Sequence, residues 1–254
     1  MNRIVVITGA SSGIGEATAK KFAKNGDNLI LLARRIDKLE LIKREILEKN
    51  NVNILVEKLD VRNRNEVFNF FNNLKEEWQN IDILVNNAGL ALGLSPIYEG
   101  DIDDWEIMVQ TNIMGLLYVS RAILPGMVQR KRGHVINLGS IAGREVYANG
   151  NVYCATKHAV HALSEAMRID LLPHNIKVSN IAPGAVNTEF STVRFKGDKH
   201  RAEQVYVGYN PLYAEDVADA ILYVSNLPAN VNVNDILVMS TQQANATIFN
   251  KKEH

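Results

Sequence analysis

The 254-residue sequence has a single cysteine, Cys154, and this excludes both a disulfide framework and a thiolate zinc cluster. Its 28 Lys and Arg balance 28 Asp and Glu, and a net charge of +0 argues against a nucleic-acid partner. No uninterrupted apolar run approaches the roughly 18 residues of a membrane span. A strand-like run at residues 4–7 leaves no room for a signal peptide. We therefore expect a soluble, cytoplasmic protein without a membrane partner.

Short apolar runs alternate with longer amphipathic stretches along the chain. The predicted strands are 3–8, 28–33, 53–60, 81–86, 133–138, 176–182 and 235–239. The predicted helices are 13–25, 37–50, 63–79, 102–130, 152–172 and 214–227. This alternation predicts an α/β fold in one domain over residues 1–254, with about seven strands in a doubly wound parallel sheet and helices on both faces.

Two segments are too long to be simple connections between such elements. They cover residues 87–101 and 183–213, and each follows a predicted strand. Long loops at the carboxyl edge of a parallel sheet commonly carry function. We expect the 183–213 segment to be a substrate loop.

A glycine-rich turn joins the first predicted strand to the first predicted helix. Gly9, Gly13 and Gly15 would let the backbone approach a pyrophosphate at the helix N-terminus. The spacing differs from G-x-G-x-x-G and lacks the Gly-Lys-Ser/Thr ending of a triphosphate loop. Plain turn chemistry is the alternative, and the flanking strand and helix favour binding.

Two arginines, Arg34 and Arg35, follow the second predicted strand. An NAD-selective site would place an acid here for the ribose hydroxyls, whereas two guanidiniums attract the additional phosphate of NADP. The alternative is a solvated helix start that Asp37 caps. The sequence favours NADP as the cofactor.

The strongest candidates for catalytic residues in the sequence are Ser140, Tyr153 and Lys157. Tyr153 and Lys157 are four residues apart in a helical pattern and so share one face. A nearby ammonium would lower the pKa of the phenol, making Tyr153 a general base toward an alcohol or a general acid toward a carbonyl. Ser140 would hold the substrate oxygen. No group of residues predicts a metal site.

These motifs together resemble the short-chain dehydrogenase/reductases over nearly the whole chain. The matching motifs are Thr8-Gly9-x-x-x-Gly13-x-Gly15, Asn86-Asn87-Ala88-Gly89, Asn112, Ser140, Tyr153-x-x-x-Lys157 and Pro183-Gly184. The resemblance implies one Rossmann-type domain, commonly a homotetramer. It also implies that Asn112 kinks its helix and orders a water that links Lys157 to solvent.

The motifs and the family resemblance together predict which residues bind the cofactor and which are catalytic. The expected cofactor residues are Gly9, Ser11, Ser12, Gly13, Ile14, Gly15, Arg34, Arg35, Asp60, Val61, Asn87, Ala88, Gly89, Tyr153, Lys157, Pro183, Gly184, Val186 and Thr188. The expected catalytic residues are Asn112, Ser140, Tyr153 and Lys157.

A narrower resemblance concerns the substrate. Residues 91–96, 98–101, 149–153 and 190–198 are similar to the NADP-dependent 3-hydroxy acid dehydrogenases, which oxidise serine, L-allo-threonine and related acids. A 3-hydroxy acid needs a cation for its carboxylate, and Arg144 and Arg194 are the candidates beside Ser140 and Tyr153 as substrate residues. For each arginine, an ordinary surface position is the alternative.

The sequence thus predicts an NADP-dependent oxidoreductase that transfers a hydride to or from the hydroxyl-bearing carbon of a small 3-hydroxy acid. One alternative is a broad carbonyl or ketoacyl reductase on the same scaffold. Another is a non-catalytic regulator that binds NADP(H), against which the intact Ser140, Tyr153 and Lys157 argue.

Overall fold

The apolar runs form one parallel sheet of seven strands in the computed structural model, which describes residues 2–252. The strands are β1 (Ile4–Thr8), β2 (Asn28–Ala33), β3 (Ile54–Lys58), β4 (Ile81–Asn86), β5 (Gly133–Leu138), β6 (Ile176–Pro183) and β7 (Asp235–Val238). Each strand bound lies within two residues of the expected one. The predicted α/β fold is confirmed.

The strands lie in the order β3-β2-β1-β4-β5-β6-β7. All neighbouring strands are parallel, so their carboxyl ends meet at one edge of the sheet. The chain reverses its direction of progress across the sheet between β1 and β4. In open parallel sheets a ligand crevice forms outside the carboxyl ends of the strands at such a reversal.

Helices cover both faces of this sheet. They are α1 (Gly13–Lys24), α2 (Ile36–Leu47), α3 (Arg64–Asn72), α4 (Ile102–Val109), α5 (Leu116–Arg130), α6 (Asn151–Leu171), α7 (Phe190–Arg194), α8 (Lys199–Gln204) and α9 (Ala214–Ser225). The helix predicted over 63–79 is too long, because α3 stops at Asn72 and only a 3-10 turn, Glu76–Trp78, follows. Asn73 ends α3 by turning its side-chain amide back onto the Asn69 carbonyl.

The two faces of the sheet bury two separate apolar cores. Because successive strand residues point to opposite faces, Val5 packs in the core that contains Phe22 of α1 and Ile221 of α9. The next residue, Val6, packs in the core that contains Ile123 of α5. All strands except β3 and β7 are almost fully buried, as expected for a parallel sheet between two helix layers.

The segment Ile102–Arg130 is long and apolar enough to cross a membrane by length and composition alone. In the fold it comprises α4, a π-helical turn at Gln110–Gly115 and α5. Val119, Ile123 and Met127 are buried against the sheet. Packing against the sheet therefore explains the apolar character of this segment.

Both long loops follow strand carboxyl ends, as expected, and contact one another. The Gly93 N–H donates to the Arg194 carbonyl at 3.0 Å. The 183–213 loop also holds the short helices α7 and α8, which the sequence did not predict. The C-terminal segment braces this loop, since Phe249 stacks on Tyr209 with ring centres 4.8 Å apart.

Candidate active site

A cavity of about 580 Å³ lies at the carboxyl edge of the sheet, between the glycine loop and the 183–213 loop. Every residue predicted to bind the cofactor lines it, with the exception of Gly15. Ser140 and Arg194 line it as well, whereas Asn112 and Arg144 are not among the lining residues. Parallel strands thus bring most of the predicted site residues to one place.

The glycine loop has the backbone shape that an anion site requires. Gly9 and Gly13 have positive φ angles of +66° and +56°, and a Cβ on Gly15 would lie 2.4 Å from the Gly9 carbonyl oxygen. Ser12, the N-cap of α1, makes no side-chain capping bond to the helix. The N–H groups and the positive dipole end of α1 lie at the cavity and fit a pyrophosphate. This geometry favours a binding loop over a plain turn.

Thr8 fixes the loop to the neighbouring strand, a role that the sequence analysis missed. Its hydroxyl oxygen accepts from the N–H groups of Asn87 and Ala88 at 3.1 and 3.0 Å. The Asn87 side-chain amide donates back to the Thr8 carbonyl at 2.8 Å. These bonds join the ends of β1 and β4 across the crevice, so the cavity floor has a defined shape.

Both predicted arginines of the cofactor site line the cavity. The Arg35 guanidinium donates to the Ser12 hydroxyl at 2.8 Å and to the Glu189 carboxylate at 2.9 Å. Arg34 lies near enough to Asp60 to lower the pKa of that carboxyl. The alternative, that Asp37 caps the next helix, is wrong because α2 begins at Ile36 and places Asp37 inside its first turn.

Asp60 also forms an ion pair with Arg62, which lies two residues further along the chain. Burial raises the pKa of Asp60, but hydrogen bonds from Arg62 and the field of Arg34 outweigh this and hold it below its usual value. The Arg62 Nη2 lies 2.6 Å from Asp60 Oδ2. Asp60 is therefore ionised at neutral pH, with Arg62 lining the cavity beside Arg34.

Three of the four predicted catalytic residues, Ser140, Tyr153 and Lys157, line the same cavity. Ser140 follows β5, and its hydroxyl caps a 3-10 turn by accepting from the Ala142 N–H at 3.1 Å. Tyr153 and Lys157 lie one turn apart on α6, and both are more than nine-tenths buried. The Lys157 Nζ donates to the Leu138 carbonyl at 2.8 Å, which directs the ammonium toward the end of β5.

Burial dominates the proton affinities of these two groups. It raises the pKa of Tyr153 to about 12, against the opposing field of the Arg194 guanidinium. It lowers the pKa of Lys157 to about 8. Desolvation of the phenol outweighs the neighbouring charges in the chain itself, and Lys157 is not among the groups with the largest effects. The expectation that Lys157 lowers the pKa of Tyr153 in the working site stays a prediction. The cation with the largest effect on Tyr153 is Arg194.

Asn112 lies in the π-helical turn that interrupts the long helix, so the expected distortion of that helix is present. Its side-chain oxygen accepts from the Leu90 N–H at 2.9 Å. Its amide donates to the Leu90 carbonyl and to the Thr156 hydroxyl at 2.8 and 3.0 Å. Asn112 therefore ties the 87–101 loop to α6 next to Lys157, and the water relay stays a prediction.

The two candidate carboxylate anchors have different surroundings. Arg144 forms an ion pair with Asp235 of β7 and is not among the residues that line the cavity. The prediction that Arg144 binds substrate is therefore not supported, because its charge is already paired at the sheet edge. Arg194 remains as the candidate that lines the cavity.

The Arg194 guanidinium is held by aromatic groups and has no ion-pair partner among residues 2–252. Its central carbon lies 4.9 Å from the ring centre of Tyr153 and 5.1 Å from that of Phe190. Its Nη2 donates to the Tyr147 hydroxyl at 2.8 Å, while its buried Nε has no hydrogen-bond partner within the described chain. Such a cation, next to the reactive phenol, suits an anionic ligand.

Two carboxylates near the end of the 87–101 loop pair with Lys196, which lies two residues from Arg194. The Lys196 Nζ lies 3.1 Å from Asp101 and 2.9 Å from Asp104. The pair with Asp101 joins the two long loops.

Sequence reasoning missed several lining residues that motifs do not mark. Tyr147 and Phe190 surround Arg194, and Glu189 binds Arg35. Gln243 and Phe249 reach the cavity from the C-terminal segment, where the Gln243 side chain accepts from the Ala185 N–H at 2.8 Å. These contacts join distant parts of the chain, so only the folded chain reveals them.

A family model described as short chain dehydrogenase matches residues 3–199. This chain belongs to the short-chain dehydrogenase family. The prediction from sequence motifs is confirmed, and this short-chain dehydrogenase is an oxidoreductase.

Individual relatives cover almost all of this short-chain dehydrogenase. The NADP-dependent 3-hydroxy acid dehydrogenase YdfG of Salmonella typhi is 47% identical over 242 residues, covering 95% of this chain and 96% of the relative. The protein of the same name from Escherichia coli K12 is 47% identical over 244 residues, covering 96% and 97%.

A solved structure of serine dehydrogenase in its closed form, complexed with NADP+, superposes with a TM-score of 0.91. It is 46% identical in sequence, and the match covers 98% of this chain and all of that one. The prediction of NADP as the cofactor is confirmed by these matches, since the relatives are named NADP-dependent and this neighbour holds NADP+.

The buried Lys157 predicts a measurable dependence of stability on pH. Its pKa falls from 10.5 in the unfolded chain to about 8 in the fold, so between these values the unfolded state binds more protons. Burial of the charge should cost about 3 kcal/mol below pH 8. The free energy of unfolding of the native chain should therefore increase as the pH rises from about 8 to 10.5, because Lys157 loses its buried charge.

Lys157→Met should be more stable than the native chain at pH 7, and this advantage should shrink across that window. Chemical denaturation at a series of pH values measures the difference. Replacing an exposed lysine, Lys75→Met, provides the control and should show no such trend. A Lys157→Met chain that is less stable at neutral pH would contradict the account.

Proposed function

We propose that this chain is an NADP-dependent dehydrogenase of small 3-hydroxy acids of the serine, L-allo-threonine and 3-hydroxypropionate type. The observation that carries the proposal is the half-buried Arg194 guanidinium, which lies 4.9 Å from the centre of the Tyr153 ring and has no carboxylate partner in the described chain. A substrate carboxylate on Arg194 would place a hydroxyl a few bonds away near Tyr153. The names of the relatives support the same substrate class.

The residues of the site have separate roles toward such a substrate. Tyr153 exchanges the hydroxyl proton, and Ser140, whose hydroxyl faces the phenol, holds the substrate oxygen. Lys157 places an ammonium beside the reacting groups and binds the Leu138 carbonyl. Asn112 fixes α6 to the loop that follows β4. When bound, the nicotinamide supplies the redox chemistry.

The cofactor site of the proposal uses the loop after β1 and the arginines after β2. Gly9, Gly13 and Gly15 shape the backbone at the α1 N-terminus, which fits a pyrophosphate. Arg34 and Arg35 are the cations for the additional phosphate of NADP. The absence of an acid at the end of β2 supports NADP over NAD.

Assembly and location are also parts of the proposal. The family resemblance implies a homotetramer, and the composition of the chain favours the cytoplasm. Broad reduction of carbonyl or ketoacyl compounds on the same scaffold is the competing function, and it would need no cation for a carboxylate.

The substrate class is tested by comparing two arginine variants. Arg194→Gln should lower kcat/KM for 3-hydroxypropionate about ten-fold or more relative to kcat/KM for an uncharged secondary alcohol, because a charge-assisted hydrogen bond is lost. Arg144→Gln should leave that ratio unchanged, since Arg144 pairs with Asp235 outside the cavity. Steady-state NADP reduction measures both.

The ratio is taken at one pH and from kcat/KM, so the ionisation of Tyr153 in the enzyme–NADP complex before substrate binds is common to both substrates. An equal loss on both substrates in Arg194→Gln would exclude the carboxylate anchor. Native activity that is higher on uncharged carbonyl compounds would favour the competing function.

The cofactor preference is tested at Arg34 and Arg35. Replacing both by Gln should raise KM for NADP about ten-fold or more while leaving KM for NAD nearly unchanged, because only NADP carries the additional phosphate. Initial rates with each cofactor at a saturating substrate concentration give both constants. Equal increases for NADP and NAD would contradict the assignment.

A further inference from the structure

The position of Arg194 suggests a second effect beyond holding a substrate. Its guanidinium lies over the ring of Tyr153, with Phe190 on the same side at 5.1 Å. The Tyr153 and Phe190 rings are themselves 5.6 Å apart. A cation over an aromatic face is attracted to the π electrons, and the attraction grows when the ring carries a negative charge. Loss of the Tyr153 proton therefore strengthens this contact.

The other groups around Tyr153 do not provide an equivalent charge. Tyr147 and Cys154 raise the pKa of Tyr153, and the Ser140 hydroxyl lowers it. Lys157, one turn along α6, directs its ammonium to the Leu138 carbonyl. No carboxylate affects the phenol within residues 2–252.

Arg194 is also held in place. Tyr147 accepts from its Nη2 at 2.8 Å, and the ring of Tyr147 lies 5.9 Å from the guanidinium. The side chain is half-buried, and its Nε is enclosed by the protein. The contact with Tyr153 is therefore a fixed feature of the cavity.

We propose that Arg194 stabilises the Tyr153 phenolate and so assists removal of the substrate proton, in addition to binding a carboxylate. This inference rests on the proposed function in taking Tyr153 as the proton acceptor. It does not require the substrate to be an acid. Arg194 is the group that most opposes the effect of burial on the pKa of Tyr153, which agrees with the geometry.

The two effects of Arg194 are coupled through substrate charge. A carboxylate bound to the guanidinium would offset part of its positive charge and weaken its hold on the phenolate. Tyr153 should then be a stronger base in the complex with a hydroxy acid than in the complex with an uncharged alcohol. An anionic substrate would thus raise the pKa of the tyrosine that accepts its proton.

The pH dependence of NADP reduction tests this inference with an uncharged alcohol as substrate. The rising limb of the kcat/KM profile at saturating NADP should move to higher pH by about one unit in Arg194→Gln, which lowers kcat/KM about ten-fold at each pH on that limb, because an opposite charge has been removed. Arg194→Lys, which keeps a positive charge, should restore at least part of the shift. Arg201→Gln is the matched control, since Arg201 lies over Phe195 at 4.5 Å on the same loop and outside the cavity lining.

The same shift is measured without turnover by ultraviolet titration of tyrosinate in the NADP complex. Subtracting the titration of a Tyr153→Phe chain isolates Tyr153, and at each high pH its tyrosinate absorbance should be smaller in an Arg194→Gln background. NADP binding that matches the native chain verifies that the variants are folded.

The outcomes separate this inference from the proposed function. Profiles and titrations that coincide in native and Arg194→Gln chains would overturn the role in stabilising the phenolate, even where the preference for hydroxy acids is lost. A shifted profile in a chain without any preference for hydroxy acids would uphold that role and contradict the carboxylate anchor.

Discussion

Parallel alignment of all the strands is the constraint on which this structure depends. Because every neighbouring pair runs in the same direction, the residues that follow each strand meet at one edge. The glycine loop follows β1, Arg34 follows β2 and Asp60 lies beyond β3. Asn87, Ser140 and Gly184 follow β4, β5 and β6 in the same way. The two buried cores on either side keep this edge rigid enough to hold reacting groups at fixed distances.

Burial then determines the chemistry of that edge. Desolvation raises the pKa of Tyr153 to about 12 and lowers that of Lys157 to about 8, so both groups resist being charged. The Arg194 guanidinium lies beside the phenol, 4.9 Å from its ring centre. A guanidinium that contacts aromatic rings and has no acid partner in the described chain suits a ligand with its own negative charge. The site therefore combines a buried phenol with an unpaired guanidinium.

Most of the fold and of the site could be predicted from the sequence. Continuous apolar runs locate strands because a sheet covered on both faces is buried throughout, and motifs such as Tyr153-x-x-x-Lys157 report contacts one turn apart. The end of α3 was missed because a side-chain bond from Asn73, which periodicity does not show, stops the helix. Arg144 and Arg194 could not be separated, since an ion pair with Asp235 exists only in the folded chain. The dominant effect of burial on Tyr153 was missed for the same reason.

The central claim is that the half-buried guanidinium of Arg194 recognises a carboxylate. Calorimetric titration of the enzyme–NADPH complex, which cannot oxidise an alcohol, tests it directly with 3-hydroxypropionate and its neutral analogue 1,3-propanediol. The account predicts that the acid binds about ten-fold more tightly or better, and that Arg194→Gln removes this advantage. Equal dissociation constants for the two ligands, or an advantage that survives in Arg194→Gln, would contradict it.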